Sequence, residues 1–206
     1  MKKPTKHCKI CFKIIKTDSI YETINNDSCL CDECQKKLVP YFKKFTVGNV
    51  SGLAIYKYDD NIKSLLYQLK GCYDVELASI FFNRFKKELK TAYKGYIIVP
   101  APSSKDEDTA REFNHVVEIF RFLNLPYYHL INKTSNFKQA ENTRKNRKTI
   151  IEHFSCENLE QIKGKKILIV DDVMTTGSTL KAMVGMLSKG QPKTIKILVM
   201  AKREMK

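Results

Sequence analysis

Residues 165–179 read KKILIVDDVMTTGST, and the fold follows from how that stretch divides. Ile167 to Val170 is an unbroken β-branched and aliphatic run, the composition of a parallel strand buried on both faces. Two carboxylates, Asp171 and Asp172, close it. Val173, Met174, Thr175, Thr176, Gly177, Ser178 and Thr179 form a loop rich in small hydroxyl side chains, and Leu180, Met183, Val184 and Leu187 follow at helical spacing. The segment therefore predicts strand, loop, helix. Such a loop offers free backbone N–H groups and the positive end of a helix dipole, which together seat a phosphate. Paired acids at the carboxyl end of a strand, where open α/β sheets bind ligands, suit sugar hydroxyls or a hydrated Mg²⁺ beside that phosphate. An ordinary strand-to-helix turn with capping hydroxyls is the other reading of the same residues.

Two familiar alternatives fail on spacing. A Walker A loop needs a Lys-Ser or Lys-Thr pair after its second glycine, and Lys181 lies elsewhere. A receiver domain carries paired aspartates near its start, whereas only 35 residues follow Asp171 here. The stretch resembles the ribose-phosphate signature of type I phosphoribosyltransferases. That resemblance implies that Asp171 and Asp172 face the ribose hydroxyls of phosphoribosyl pyrophosphate and that Thr175 to Thr179 wrap its 5-phosphate.

A chain of 206 residues with 43% apolar content has material for one ordinary domain and a small appendage. No apolar run is long enough to span a bilayer, and MKKPTKHCKIC lacks the apolar centre of a signal peptide, so a cytoplasmic protein without membrane insertion is expected. Thirty-seven basic against 22 acidic side chains leave a net charge of +15, which points to a polyanionic partner or to a lysine-rich solvated surface.

Cys8-Lys-Ile-Cys11 and Cys31-Asp-Glu-Cys34 are two C-x-x-C pairs separated by 19 residues, an interval typical of four-cysteine zinc sites. Each pair closes two thiolates on one ion, and two pairs complete a tetrahedron. A module this short, lying outside the main core, needs such a staple. Cys29 and His7 are substitute ligands; reduced cysteines holding no metal are the alternative.

Gln35 to Lys44 predicts a linking helix, Leu53 to Tyr58 a strand, and Asn61 onwards an amphipathic helix with Ile62, Leu65, Leu66 and Leu69 in register. That helix stops at Lys70 and Gly71, which predicts either a phosphate-binding turn with positive φ or a plain C-cap. Val75 to Ala92 reads as one further helix, Tyr96 to Val99 as a strand cut off at Pro100, Thr109 to Leu123 as a helix, and Tyr127 to Ile131 and Thr194 to Met200 as strands. Between Lys133 and Lys148 six cations face a single acid, Glu141, without apolar periodicity. That loop suits a phosphate chain, or is simply solvated.

Taken together the pieces resemble the ComF family of bacterial competence proteins, which joins a four-cysteine zinc module to a phosphoribosyltransferase domain. The likeness rests on the cysteine pairs, the Asp-Asp loop, Tyr56 to Gly71, Val99-Pro-Ala-Pro102, Arg111-Glu-Phe113-Asn114, and Gln139 and Arg147 of the basic loop. Glu112 stands where the family has glycine, so its turn is expected to avoid positive φ. The implied fold is a parallel α/β sheet flanked by helices at 46–206, preceded by a zinc module with its linking helix at 1–45. The implied function is DNA uptake in natural transformation, in which the protein binds phosphoribosyl pyrophosphate with Mg²⁺, engages single-stranded DNA and meets other cytoplasmic DNA-uptake proteins. A nucleobase-salvage phosphoribosyltransferase is the alternative, and enzyme activity is open between them. Asp171 and Asp172 are the catalytic candidates. Lys70, Gly71, Arg144 and Arg147 join residues 171–179 as ligand contacts, Lys145, Arg147 and Lys148 are DNA contacts, and no motif assigns a histidine.

Overall fold

The computed structural model describes residues 6–15, 29–103, 105–133 and 154–204. A cysteine-bearing turn bridged between His7 and Ile14 comes first, then α1 (Asp32–Lys37). β1 (Pro40–Val47) and β2 (Val50–Lys57) form an antiparallel hairpin about a two-residue turn, where Gly48 takes φ 62°. α2 (Asp60–Gly71) is capped by Asp59, whose carboxylate accepts from the Ile62 amide at 3.0 Å. Short 3₁₀ turns at Val75–Ile80 and Asn83–Phe85 lead into α3 (Lys86–Ala92) and β3 (Tyr96–Pro100). α4 (Lys105–Arg111), α5 (His115–Phe120), β4 (Ile131–Lys133), β5 (Phe154–Cys156), β6 (Lys166–Met174), α6 (Ser178–Ser188) and β7 (Thr194–Lys202) follow.

The main sheet has the order β1-β2-β7-β6-β3, parallel except for the β1–β2 hairpin at one edge, and β4 and β5 pair in a small second sheet. β6 lies between β7 and β3, the place for a strand apolar on both sides. Its residues alternate. Leu168 and Val170 join a core with α2, α5 and the 3₁₀ turn at Val75–Ile80, while Ile167 and Ile169 join a core with α6 and Phe154 on the opposite face. The predicted α/β architecture with a mostly parallel sheet is what forms.

Several local expectations are corrected. No helix runs from Gln35 to Lys44: α1 ends at Lys37, and Pro40, which cannot donate a helical hydrogen bond, begins β1. The division at residues 45 and 46 falls inside that strand. The helix expected over 75–92 is broken into 3₁₀ turns at Val75–Ile80 and Asn83–Phe85 and the short α3, with Phe81 and Phe82 fully buried between the two turns. The helix expected over 109–123 splits at Glu112, which adopts φ 63° despite its side chain. Tyr127 makes only an isolated bridge to Ile98, and the strand proper starts at Ile131. Nor does the cysteine module lie outside the core: Cys8, Leu30, Cys34 and Leu38 are buried in the same cluster as Ile55, Leu65 and Phe81. Among the described residues no helix is long and apolar enough to cross a membrane.

Candidate metal centre and ligand site

The four cysteine sulfurs of Cys8, Cys11, Cys31 and Cys34 lie within 4.8 Å of one another, and Cys11 and Cys31 are 3.6 Å apart. A tetrahedral ZnS₄ centre with bonds of about 2.3 Å has edges of about 3.8 Å, so the donor set fits that ion. Local backbone explains the arrangement. The Phe12 amide donates to the Cys8 carbonyl at 2.8 Å, closing the first turn, and Cys31 is the N-cap of α1, which puts Cys34 in the first helical turn. The Lys9 amide donates to the Cys29 carbonyl at 2.9 Å and so ties the two pairs together. Burial works to raise the Cys8 thiol, but hydrogen bonds from the Cys31, Cys11 and Ile10 backbone outweigh it and bring the thiol down to about 6. Burial and the neighbouring sulfurs push Cys34 the other way. Four sulfurs at this spacing share negative charge only around a cation. Cys29 and His7, the substitute ligands, are not in the cluster.

At the other end of the sheet β6 runs further than its apolar core. Asp171 and Asp172 are strand residues, and the strand continues to Met174 before the chain turns at Thr175 to Gly177. Gly177 sits at φ 76° and ψ 9° as the N-cap of α6. Thr176 Oγ1 lies 2.9 Å from Ser178 Oγ, and the Ser178 amide donates to Thr176 Oγ1 at 3.4 Å. Residues 173–180 and Asp171 line one small hollow at this helix end. The loop expected to hold a phosphate thus forms a hollow around an α6 N-terminus, with Asp171 at its wall.

The two aspartates part company. Asp171 is half-buried and accepts the Asp172 amide on Oδ1 at 2.9 Å. Asp172 is buried; its Oδ1 accepts the Val173 amide at 2.7 Å, while its Oδ2 is ion-paired with Lys70 Nζ and lies 3.5 Å from His115 Nε2. Burial, then the charge of Asp172, pushes the Asp171 carboxyl well above the usual carboxylate range. Burial works to raise Asp172 too, but the His115 contact and the Lys70 charge overcome it and hold that carboxyl far below its usual range. Asp171, raised and facing the hollow, has the chemistry of a group that gains from sugar hydroxyls or a hydrated divalent cation.

Lys70 and Gly71 are the last residues of α2, and the helix is capped by Cys72. Gly71 does not take positive φ; Tyr73 does, at 60°. The Lys70–Gly71 end is therefore a helix terminus that sends its lysine to Asp172. Arg144, Lys145, Arg147 and Lys148 lie outside the described residues, as does Gln139.

Sequence reasoning missed His115. It is buried at the start of α5 and its Nδ1 lies 2.9 Å from Arg111 Nη1, which also reaches Asp108 Oδ1 at 3.3 Å. Asn114 caps α5 by accepting the Val117 amide at 3.0 Å, and its side-chain amide donates to Ser103 Oγ and Asp108 Oδ2, both at 2.8 Å. The Arg111-to-His115 spacing was the available signal, but it crosses the left-handed turn at Glu112 rather than a continuous helix.

Residues 110–206 match the phosphoribosyl transferase domain family. Competence protein ComFC of Bacillus subtilis is 29% identical over 145 residues, covering 69% of this chain and 60% of that protein, so the match spans less than two thirds of its length. Competence protein ComFC of Streptococcus pneumoniae is 27% identical over 214 residues, covering 92% of this chain and 96% of that one. Among solved structures, a hypoxanthine phosphoribosyltransferase from Staphylococcus aureus aligns with a TM-score of 0.41 and 13% identity over 64% of this chain and 68% of its own.

Proposed function

We propose, for a chain similar over 92% of its length to a ComFC competence protein and matching the phosphoribosyl transferase domain family at residues 110–206, a role in DNA uptake during natural transformation exercised through a phosphoribosyl pyrophosphate site. One observation carries the ligand assignment: Asp171 and residues 173–180 line a single hollow at the N-terminus of α6. Backbone amides there complement a phosphate, and a half-buried carboxylate beside them complements a ribose. Asp172 supports that carboxylate from the protein side, held by Lys70 and His115. Bound Mg²⁺ would neutralise the pyrophosphate, with Asp171 the carboxylate of the hollow that could hold it. Zinc in the cysteine cluster braces the face of the sheet on which α2 lies. The +15 charge supports single-stranded DNA as the polyanionic partner, with Lys145, Arg147 and Lys148 as contacts and Arg144 and Arg147 reaching the pyrophosphate.

Calorimetry tests the ligand. Phosphoribosyl pyrophosphate should bind in a Mg²⁺-dependent manner, and Asp171→Ala with Asp172→Ala should weaken it by at least about tenfold, the loss of one hydrogen bond to a charged acceptor. Equal affinity in the double variant refutes the site. Incubation with labelled phosphoribosyl pyrophosphate and the common nucleobases addresses activity: nucleotide formation without single-strand binding at low salt would replace DNA uptake by nucleobase salvage.

A further inference from the structure

Among the described residues only three polar side chains are buried, Arg111, His115 and Asp172, and they form one chain of contacts. The chain begins at the surface turn that holds Asp108 and Asn114 and ends at the carboxylate behind the ligand hollow. Its chemistry fixes a proton. A guanidinium can only donate, so His115 Nδ1, 2.9 Å from Arg111 Nη1, must accept and carries no hydrogen. The single imidazole proton then resides on Nε2, 3.5 Å from Asp172 Oδ2, a buried oxygen that makes no formed hydrogen bond among the described residues and for which this N–H is the nearby directional donor.

The geometry points to His115 as a positioning residue: Arg111 locks it as the neutral Nε2–H tautomer, and in that form it orients the ionised Asp172 so that the adjacent Asp171 is presented to the ribose. This rests on the phosphoribosyl pyrophosphate reading of the hollow. Lys70 shares Asp172 Oδ2, but its side chain is 34% exposed and it comes from the terminal turn of α2, whereas His115 is 7% exposed and rises from the start of a capped helix. The histidine is the more enclosed of the two partners. Mobile cations make poor orienters, because a point charge tolerates many directions and an imidazole N–H does not. The charged groups facing His115 are Asp172, Lys70 and Arg111; burial, with the two cations, opposes a second proton on the ring, and Asp172 favours it.

The test pairs a spectroscopic readout with a binding one on the full chain. In nitrogen-15 NMR of imidazole-labelled protein, the resonance lost in His115→Gln should be that of a neutral Nε2–H ring at pH 7. An Nδ1–H tautomer or an imidazolium there overturns the proposal whatever the ligand does. In calorimetry with phosphoribosyl pyrophosphate and Mg²⁺, His115→Phe should bind about tenfold more weakly or worse. His115→Gln, whose amide both donates and accepts, should stay within about threefold of the parent. Equal binding by the phenylalanine variant, or equal loss in a folded glutamine variant, excludes positioning through the N–H. Should His115→Phe not fold, the NMR tautomer and the glutamine affinity still decide. A parent that binds no phosphoribosyl pyrophosphate refutes the ligand reading, and the tautomer result then stands or falls alone.

Discussion

Replacing Gly177 by alanine probes the phosphate loop at its most constrained residue. Its φ of 76° lies where an L-residue costs about 1–2 kcal/mol. The new Cβ would stand 2.7 Å from Met174 Cε, but that methyl ends a flexible side chain and can swing aside, so the steric share is minor. Alanine has less unfolded-state entropy to lose, which offsets about 0.4–1 kcal/mol. The net destabilisation is then about 1 kcal/mol, a fall in Tm of about 2–4 °C for a chain of this size. Binding should suffer more. If the backbone leaves the left-handed region, the amides at the start of α6 cease to converge, and losing one charge-assisted bond to phosphate costs about 1.5–3 kcal/mol, roughly 10- to 150-fold in affinity. Scanning calorimetry and titration with phosphoribosyl pyrophosphate on Gly177→Ala, Met174→Ala and the double variant separate the two contributions. The double variant should behave like Gly177→Ala, since backbone strain outweighs the methyl contact. Recovery of parental affinity in the double variant would refute this reasoning, as would a Gly177→Ala protein indistinguishable from the parent.

Urea denaturation should distinguish the paired aspartates. Asp172 has a depressed folded pKa, so its stability is present above the unfolded carboxyl value and is lost as pH falls; Asp172→Asn should cost on the order of 3 kcal/mol at pH 7 and progressively less in acid. Asp171 is raised, so its ionised form opposes folding near neutrality, and Asp171→Asn should leave stability at pH 7 unchanged or higher. Elemental analysis should find one zinc per chain, lost in Cys11→Ser with Cys34→Ser, and a strong chelator should lower Tm because the cluster belongs to the main core. Single-stranded DNA affinity should fall steeply with salt, and alanine at Lys145, Arg147 and Lys148 should reduce the slope of that dependence, read by fluorescence anisotropy; an unchanged slope removes the loop from the DNA path.

The central parallel strands were legible because burial on both faces writes itself as continuous apolar runs, as at Ile167 to Val170 and Tyr96 to Val99. The cysteine cluster was legible because C-x-x-C spacing is local. Errors came where tertiary packing overrode local pattern. Val39, Phe42 and Phe45 have helical spacing yet belong to or adjoin an edge strand, where hairpin pairing set the conformation. Leu77, Ile80, Phe81, Phe85 and Leu89 have helical spacing, yet the chain there forms 3₁₀ turns and only a short helix. Glu112 enters the left-handed region because the hydrogen bonds of Asp108, Arg111 and Asn114 on either side fix the turn. His115 was invisible because its meaning lies in Asp172, 57 residues away.

Consecutive aspartates at a strand end look equivalent in a sequence, and strand geometry makes them unlike. Period-two alternation turns Asp171 toward the face where α6 begins and Asp172 toward the face where α2 and α5 pack. Each then acquires the ionisation that its face imposes. His115 and Lys70 keep Asp172 charged within the protein, and burial together with the charge of Asp172, the next residue, raises Asp171. A ligand bringing hydroxyl donors or a divalent cation to Asp171 relieves that repulsion, so part of its binding energy is set in advance by a carboxylate it need not touch. The alternation accounts for the pair being adjacent: placed two positions apart, both carboxylates would face the same side, and they could not divide the hollow from the lysine and histidine between them.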